Sequence, residues 1–295
     1  MEISMTMLSG VVAYPVTPFT ESGAVAENVL RHLLDRLIDA GVDAIAPLGS
    51  TGESAYLDDQ EWRRVAAICV EQVAGRVPIV VGASELSTAA TVERARLAER
   101  LGASALMVLP IAYWKLTEPE LRQHFSAVAG AVSLPVMAYN NPATSGIDMS
   151  PEFLVELVEQ VDNITMIKES SGDIARMYRI AELGGGAVAF FNGSNRLVQQ
   201  AFQAGAAGWC TAAPGLAPEA VVRLWRLFRS GDAGAAELFE RLHPLFAAMS
   251  RGGLPRTVKA GLRELGIDAG DPRPPLLPLA ADARRELAQL LAVAN

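Results

Sequence analysis

The chain has 295 residues, 51% of them hydrophobic, with 25 basic and 33 acidic side chains and a formal net charge of −8. That acidic balance, spread without a basic stripe, excludes a protein that tracks nucleic-acid phosphates. Two distant cysteines and three scattered histidines (His32, His124, His243) exclude structural zinc and a disulfide framework. No apolar run approaches the roughly 20 uninterrupted residues of a membrane helix. Residues 1–10 lack the basic start and apolar stretch of a signal peptide, so a cytoplasmic location is expected.

In chain order, short apolar runs alternate with amphipathic stretches. The runs cover residues 11–17, 43–47, 77–82, 105–109, 134–139, 164–168, 187–191 and 207–211, each rich in Val, Ile, Ala, Met or Phe. Such runs read as strands buried on both faces, as in a parallel sheet covered by helices. In the first helical stretch Val29, Leu30, Leu33, Leu34, Leu37 and Ile38 share one face, opposite Arg31, Asp35, Arg36 and Asp39. Val92, Ala95, Ala98 and Leu101 repeat the pattern in the third unit. Glycines at Gly41, Gly102 and Gly205 stand where a left-handed residue would end a helix before the next strand. Eight βα units in strict alternation predict a (β/α)8 TIM barrel with right-handed crossovers rather than an open doubly wound sheet. After Thr211 the pattern turns wholly helical, over 218–229, 233–250, 257–265 and 280–293. The expected division is a barrel over 1–230 and a C-terminal helical bundle, 231–295, packed on it.

In such a barrel the chemistry sits at the C-terminal ends of the strands. Those ends are rich in hydroxyls and amides, hold one ammonium and lack histidine, which argues against a Ser-His-Asp hydrolase and against metal catalysis. Lysine is scarce: only Lys115, Lys168 and Lys259 accompany 22 arginines. Lys168 ends a strand expected to be buried on both sides, where an ammonium loses hydration and the neutral amine is favoured. A neutral amine is the nucleophile of Schiff-base chemistry, and arginine cannot replace it. The structural alternative is a lysine paired with Glu169 or Asp173 at a helix start. Lys115 and Lys259 read as structural.

Tyr139 ends the preceding strand and should stand beside Lys168, either moving protons or merely capping the core. Gly49-Ser50-Thr51-Gly52-Glu53 follows the second strand; its backbone N–H groups and two hydroxyls suit a carboxylate, or form a tight turn with an N-cap. It is not a phosphate loop, since neither GxxxxGK[ST] nor GxGxxG after the first strand is present. Asn192-Gly193-Ser194 either holds substrate hydroxyls or caps the next helix.

Four segments, 10–19, 49–54, 139–142 and 167–173, occur in the order and spacing of a known family. Across nearly the whole chain they resemble the dihydrodipicolinate synthase and N-acetylneuraminate lyase family. The resemblance implies a Schiff-base lyase or aldolase acting on pyruvate or a related 2-oxo acid, with an aldehyde or sugar-acid co-substrate and no cofactor. It makes Lys168 the Schiff-base lysine and Tyr139 the proton-shuttling phenol. Ser50 and Thr51 would cradle the carboxylate, Ser50 also serving the hydroxyl relay, and Cys210 would line the pyruvate pocket. It implies a homotetramer in which an aromatic residue from a neighbouring subunit completes the relay, with Tyr113 the candidate. One departure concerns the second substrate. An arginine expected after the Tyr-Asn-x-Pro segment, for the carboxylate of the incoming aldehyde, is replaced by Thr144, which cannot make a bidentate charged contact. A keto-deoxy-sugar-acid aldolase or dehydratase, or a hydroxyproline-pathway deaminase, would use the same lysine with a different second pocket. A non-catalytic 2-oxo-acid-binding barrel and a phosphate-dependent barrel chemistry are the further alternatives.

Overall fold

A computed structural model describes residues 8–295, so most of the N-terminal segment expected not to be a signal peptide lies outside the described residues. Eight strands form one sheet: β1 (Gly10–Ala13), β2 (Ala44–Ile45), β3 (Val80–Gly82), β4 (Ala105–Val108), β5 (Val136–Asn140), β6 (Ile164–Glu169), β7 (Ala189–Asn192) and β8 (Gly208–Thr211). Their order is β2-β1-β8-β7-β6-β5-β4-β3 and every pairing is parallel. A parallel bridge between Ile45 and Ile79 joins the two ends of that order and closes the barrel. The eight expected strands are all present, several shorter than the apolar runs that signalled them. Proline is one reason: Pro15, Pro47 and Pro78 lack the N–H a ladder needs, so regular pairing stops short of them.

The helices in chain order are α1 (Glu27–Asp39), α2 (Asp59–Val73), α3 (Thr88–Leu101), α4 (Glu118–Ala129), α5 (Pro142–Ser145), α6 (Pro151–Gln160), α7 (Ile174–Gly184), α8 (Val198–Gln203), α9 (Pro218–Ser230), α10 (Gly234–Gly252), α11 (Leu254–Glu264) and α12 (Ala281–Ala294). α1 buries Leu30, Leu33, Leu34 and Leu37 against the sheet, the face its periodicity marked. The stop after α3 is Gly102, whose φ of 97° only glycine adopts at low cost. α10, α11 and α12 share the barrel's apolar core. Trp209 of β8 meets Phe246 of α10 edge-to-face with ring centres 5.5 Å apart, and both are fully buried. Burial of a side chain the size of Phe246 contributes about 1.5–3 kcal/mol, which helps hold α10 against β8.

His124 of α4 is buried, with Nδ1 3.0 Å from the Thr88 hydroxyl and Nε2 without a partner. Burial lowers its pKa from the ordinary 6.5. The unfolded chain therefore takes up this proton first, and the stability owed to neutral His124 is complete above that value and drains as pH falls below it. Denaturant titrations from about pH 7 to 5 should show H124Q losing less stability than the parent; equal losses would contradict the assignment.

Candidate active site

The C-terminal ends of the strands open into a cavity of about 570 Å³. Successive residues of a strand face opposite ways, so Lys168 and Glu169 part company at the end of β6. Glu169 accepts hydrogen bonds from Asn140 Nδ2 (3.0 Å) and the Ser171 N–H (2.6 Å), and pairs with Arg176 (3.2 Å). Asp173 caps α7 through the Ala175 N–H. Neither carboxylate is therefore the partner of Lys168, which turns into the cavity and is 4% exposed.

Its Nζ lies 3.9 Å from the ring centre of Tyr14, 3.8 Å from that of Tyr139 and 3.9 Å from Met107 Sδ. Strand register sets the pair, since Tyr139 and Lys168 are Cα partners across β5 and β6. Glu53, the other fully buried carboxylate nearby, is taken by Lys259. The amine thus has aromatic faces and sulfur around it but, among the described residues, no anion. Gly193 makes the approach possible: a Cβ there would sit 1.6 Å from Ser170 Oγ and 3.1 Å from Lys168 Cε.

Asn141 Nδ2 donates to the Tyr139 hydroxyl at 2.7 Å. That bond occupies a lone pair of the phenol oxygen and leaves its proton free to point elsewhere. The Tyr14 hydroxyl donates to Met107 Sδ at 3.0 Å. Burial, with Cys210 beside it, pushes the Tyr14 phenol well above its ordinary pKa, so it stays protonated. Burial likewise raises the Cys210 thiol, although Lys168 and Tyr14 pull the other way, and no competing thiolate arises.

The loop after β2 is bent by two non-glycine residues in the left-handed region, Leu48 (φ 61°) and Glu53 (φ 58°). Each costs on the order of 1 kcal/mol or more, so other contacts must hold the bend. Thr17 donates to the Gly52 carbonyl at 2.7 Å. Glu53 pairs with Lys259 of α11 at 2.6 Å and accepts the Arg273 N–H at 2.6 Å, with both side chains of the pair at 1% exposure or less. Burial lowers the Lys259 pKa and Glu53 opposes the shift. Gly49, Ser50 and Thr51 are thereby presented along the cavity wall.

The model of the dihydrodipicolinate synthetase family matches residues 7–294. The chain belongs to that family. Among curated relatives, the 4-hydroxy-tetrahydrodipicolinate synthase of Methanopyrus kandleri is 35% identical, the match covering 96% of this chain and 96% of the relative. That of Thermomicrobium roseum is 36% identical, over 97% and 94% of the two chains. A Pseudomonas aeruginosa protein, solved under a provisional dihydrodipicolinate synthetase name, is 50% identical with a TM-score of 0.95, covering 97% of this chain and 99% of its own. YagE, an Escherichia coli prophage protein of the family solved in complex with pyruvate, is 28% identical with a TM-score of 0.92, over 98% and 99%. Members of this family are aldolase-type lyases that work through a lysine Schiff base, and this chain is one of them.

Of the residues singled out from the sequence, Lys168, Tyr139, Gly49, Ser50, Thr51, Cys210, Gly193 and Thr144 line the one cavity. Two do not. Tyr113 is 94% exposed on the loop between β4 and α4 and reaches no part of the cavity of its own chain. Asn192 folds back on its own loop, exchanging hydrogen bonds of 2.8 Å with the N–H and carbonyl of Ser194, so its amide is spent on a turn. Tyr14, Asn141 and Met107 were missed. Tyr14 follows the last residue of β1, and Pro15 was the signal that the strand stops there. Thr17, expected at that rim, braces the next loop instead.

Replacing Lys259 with methionine leaves Glu53 buried without its counter-ion. K259M should lower stability by about 3–5 kcal/mol in denaturant titration and raise KM for the 2-oxo acid, as the loop over Gly49–Thr51 loosens. Unchanged values of both would show that the pair does not hold the loop.

Proposed function

We propose that the chain binds pyruvate or a closely related 2-oxo acid as a Schiff base on Lys168 and joins it to, or releases it from, an aldehyde. The observation that carries the reading is the anion-free Lys168 amine enclosed by two tyrosine rings at the foot of the cavity. Lys168 Nζ attacks C2 of the 2-oxo acid while its carboxylate lies against the Gly49–Thr51 backbone and the Ser50 and Thr51 hydroxyls. The Tyr139 phenol gives its proton to the carbonyl oxygen, with Ser50 returning one to it, and a second proton transfer expels water to leave the iminium. The faces of Tyr14 and Tyr139 then stabilise that cation. Loss of a proton from C3 gives the enamine, whose carbon attacks the aldehyde. Water adds back to C2, the carbon–nitrogen bond breaks, and the free amine returns. Asn141, donating to the phenol oxygen, steadies the phenolate form that each transfer passes through.

A sugar-acid lyase or dehydratase is the second reading, and neutral Thr144 in the cavity wall is what favours it. Exposed Tyr113 and the adjoining Trp114, 81% exposed, suit a surface covered by another copy of the chain. A homotetramer whose neighbouring subunit supplies Tyr113 belongs to this proposal, as does a cytoplasmic location; no helix of the described residues is long and apolar enough to cross a membrane.

The test is turnover with pyruvate plus aspartate semialdehyde, set beside pyruvate release from keto-deoxy sugar acids. One of the two should proceed in the parent, Y139F should lose about a hundred- to ten-thousandfold in kcat, and K168A should be inactive. K168A turning over at the parent rate would overturn the assignment.

A further inference from the structure

One stretch of the cavity wall comes from the corner between α10 and α11, where Leu254, Pro255 and Arg256 line it. The charges in that wall do not balance. Its one carboxylate, Glu53, is neutralised by Lys259 at 2.6 Å, which leaves the Lys168 amine and the Arg256 guanidinium as the basic groups of the lining. Among the described residues Arg256 makes neither an ion pair nor a hydrogen bond. Neighbouring Arg273 and Arg263 are both engaged, with Glu61 and with Asp268 and Asp271. Arg256 is half-buried, always charged, and carries five donors in a planar fork.

Local structure gives the residue no reason to be there. It stands in the first turn of α11, next to the positive end of the helix dipole, where a cation is disfavoured and an anion favoured. The N-cap of α11 is Gly253, which offers no side chain to the first N–H groups. Thr144, at the position where a basic residue would grip the carboxylate of an incoming aldehyde, lines the same cavity and is neutral.

We infer that Arg256 binds a second carboxylate, so that the molecule assembled or cleaved on Lys168 is a 2-oxo acid with a distal carboxylate. The inference rests on the Schiff-base reading for the near end of that molecule. It assigns the far end to a fork-shaped donor on α11 rather than to the segment after β5. A neutral polyhydroxy aldehyde would leave the guanidinium unanswered, whereas an aldehyde bearing a carboxylate, or a dicarboxylic sugar acid, pairs with it bidentately.

Titration calorimetry with matched ligands tests this without requiring turnover. 2-Oxoglutarate and 2-oxoadipate are compared with 2-oxopentanoate and 2-oxohexanoate, which keep the chain and lose the distal charge. The parent should bind at least one dicarboxylate on the order of ten- to a hundredfold more tightly than its neutral counterpart. R256Q should bring that ratio close to one, and R256K should retain part of it. A parent that does not discriminate, or an R256Q variant that discriminates as the parent does, overturns the inference. Reduction by borohydride in the presence of pyruvate is run in parallel. Its failure in the parent removes the Schiff-base reading, while the calorimetric ratio still reports on Arg256.

Discussion

A primary amine held out of water with no anion beside it is the constraint on which the site depends. Lys168 is enclosed by Tyr14, Tyr139 and Met107, and the two carboxylates that could have neutralised it are each committed elsewhere, Glu169 to Arg176 and Glu53 to Lys259. An ammonium in that position keeps little of its hydration and gains no ion pair. Two aromatic faces attract positive charge, but they do so equally for the iminium that follows attack. In the proposed mechanism the enclosure serves the intermediate as much as the free enzyme, and burial keeps the Tyr14 phenol protonated.

The barrel alone does not make this arrangement. The turn that offers Gly49, Ser50 and Thr51 to the cavity is bent through left-handed backbone at Leu48 and Glu53. The contacts that hold it come from residues more than two hundred positions later, in Lys259 and Arg273. The C-terminal helices thus do more than cover apolar surface. They fix the Gly49–Thr51 loop from behind, and at the α10–α11 corner they form part of the cavity wall. A buried ion pair is a poor source of net stability, but removing one partner is costly, and that asymmetry suits a device for holding geometry.

Much of this was legible in the sequence. Eight apolar runs in strict alternation with amphipathic stretches specify parallel strands buried on both faces, and their number points to a closed barrel rather than an open sheet. The rarity of lysine drew attention to Lys168, and the order of strands placed Tyr139 beside it. What escaped has a physical reason in each case. Apolar runs mark burial rather than pairing, so β1 was read four residues too far and Tyr14 was passed over at its true end. Asn192 looked available because an Asx turn is invisible without coordinates. Tyr113 stands on the surface, outside the cavity of its own chain, and the role proposed for it requires a second chain. The Glu53–Lys259 pair and the Asn141 bond to Tyr139 depend on side-chain directions that no periodicity encodes.

The most direct measurement is the location of the covalent bond. Reduction of the protein with borohydride in the presence of pyruvate, followed by peptide mapping, should place a single reduced pyruvyl group on the peptide containing Lys168. A label on Lys115 or Lys259, or no label at concentrations of pyruvate that saturate turnover, would contradict the account.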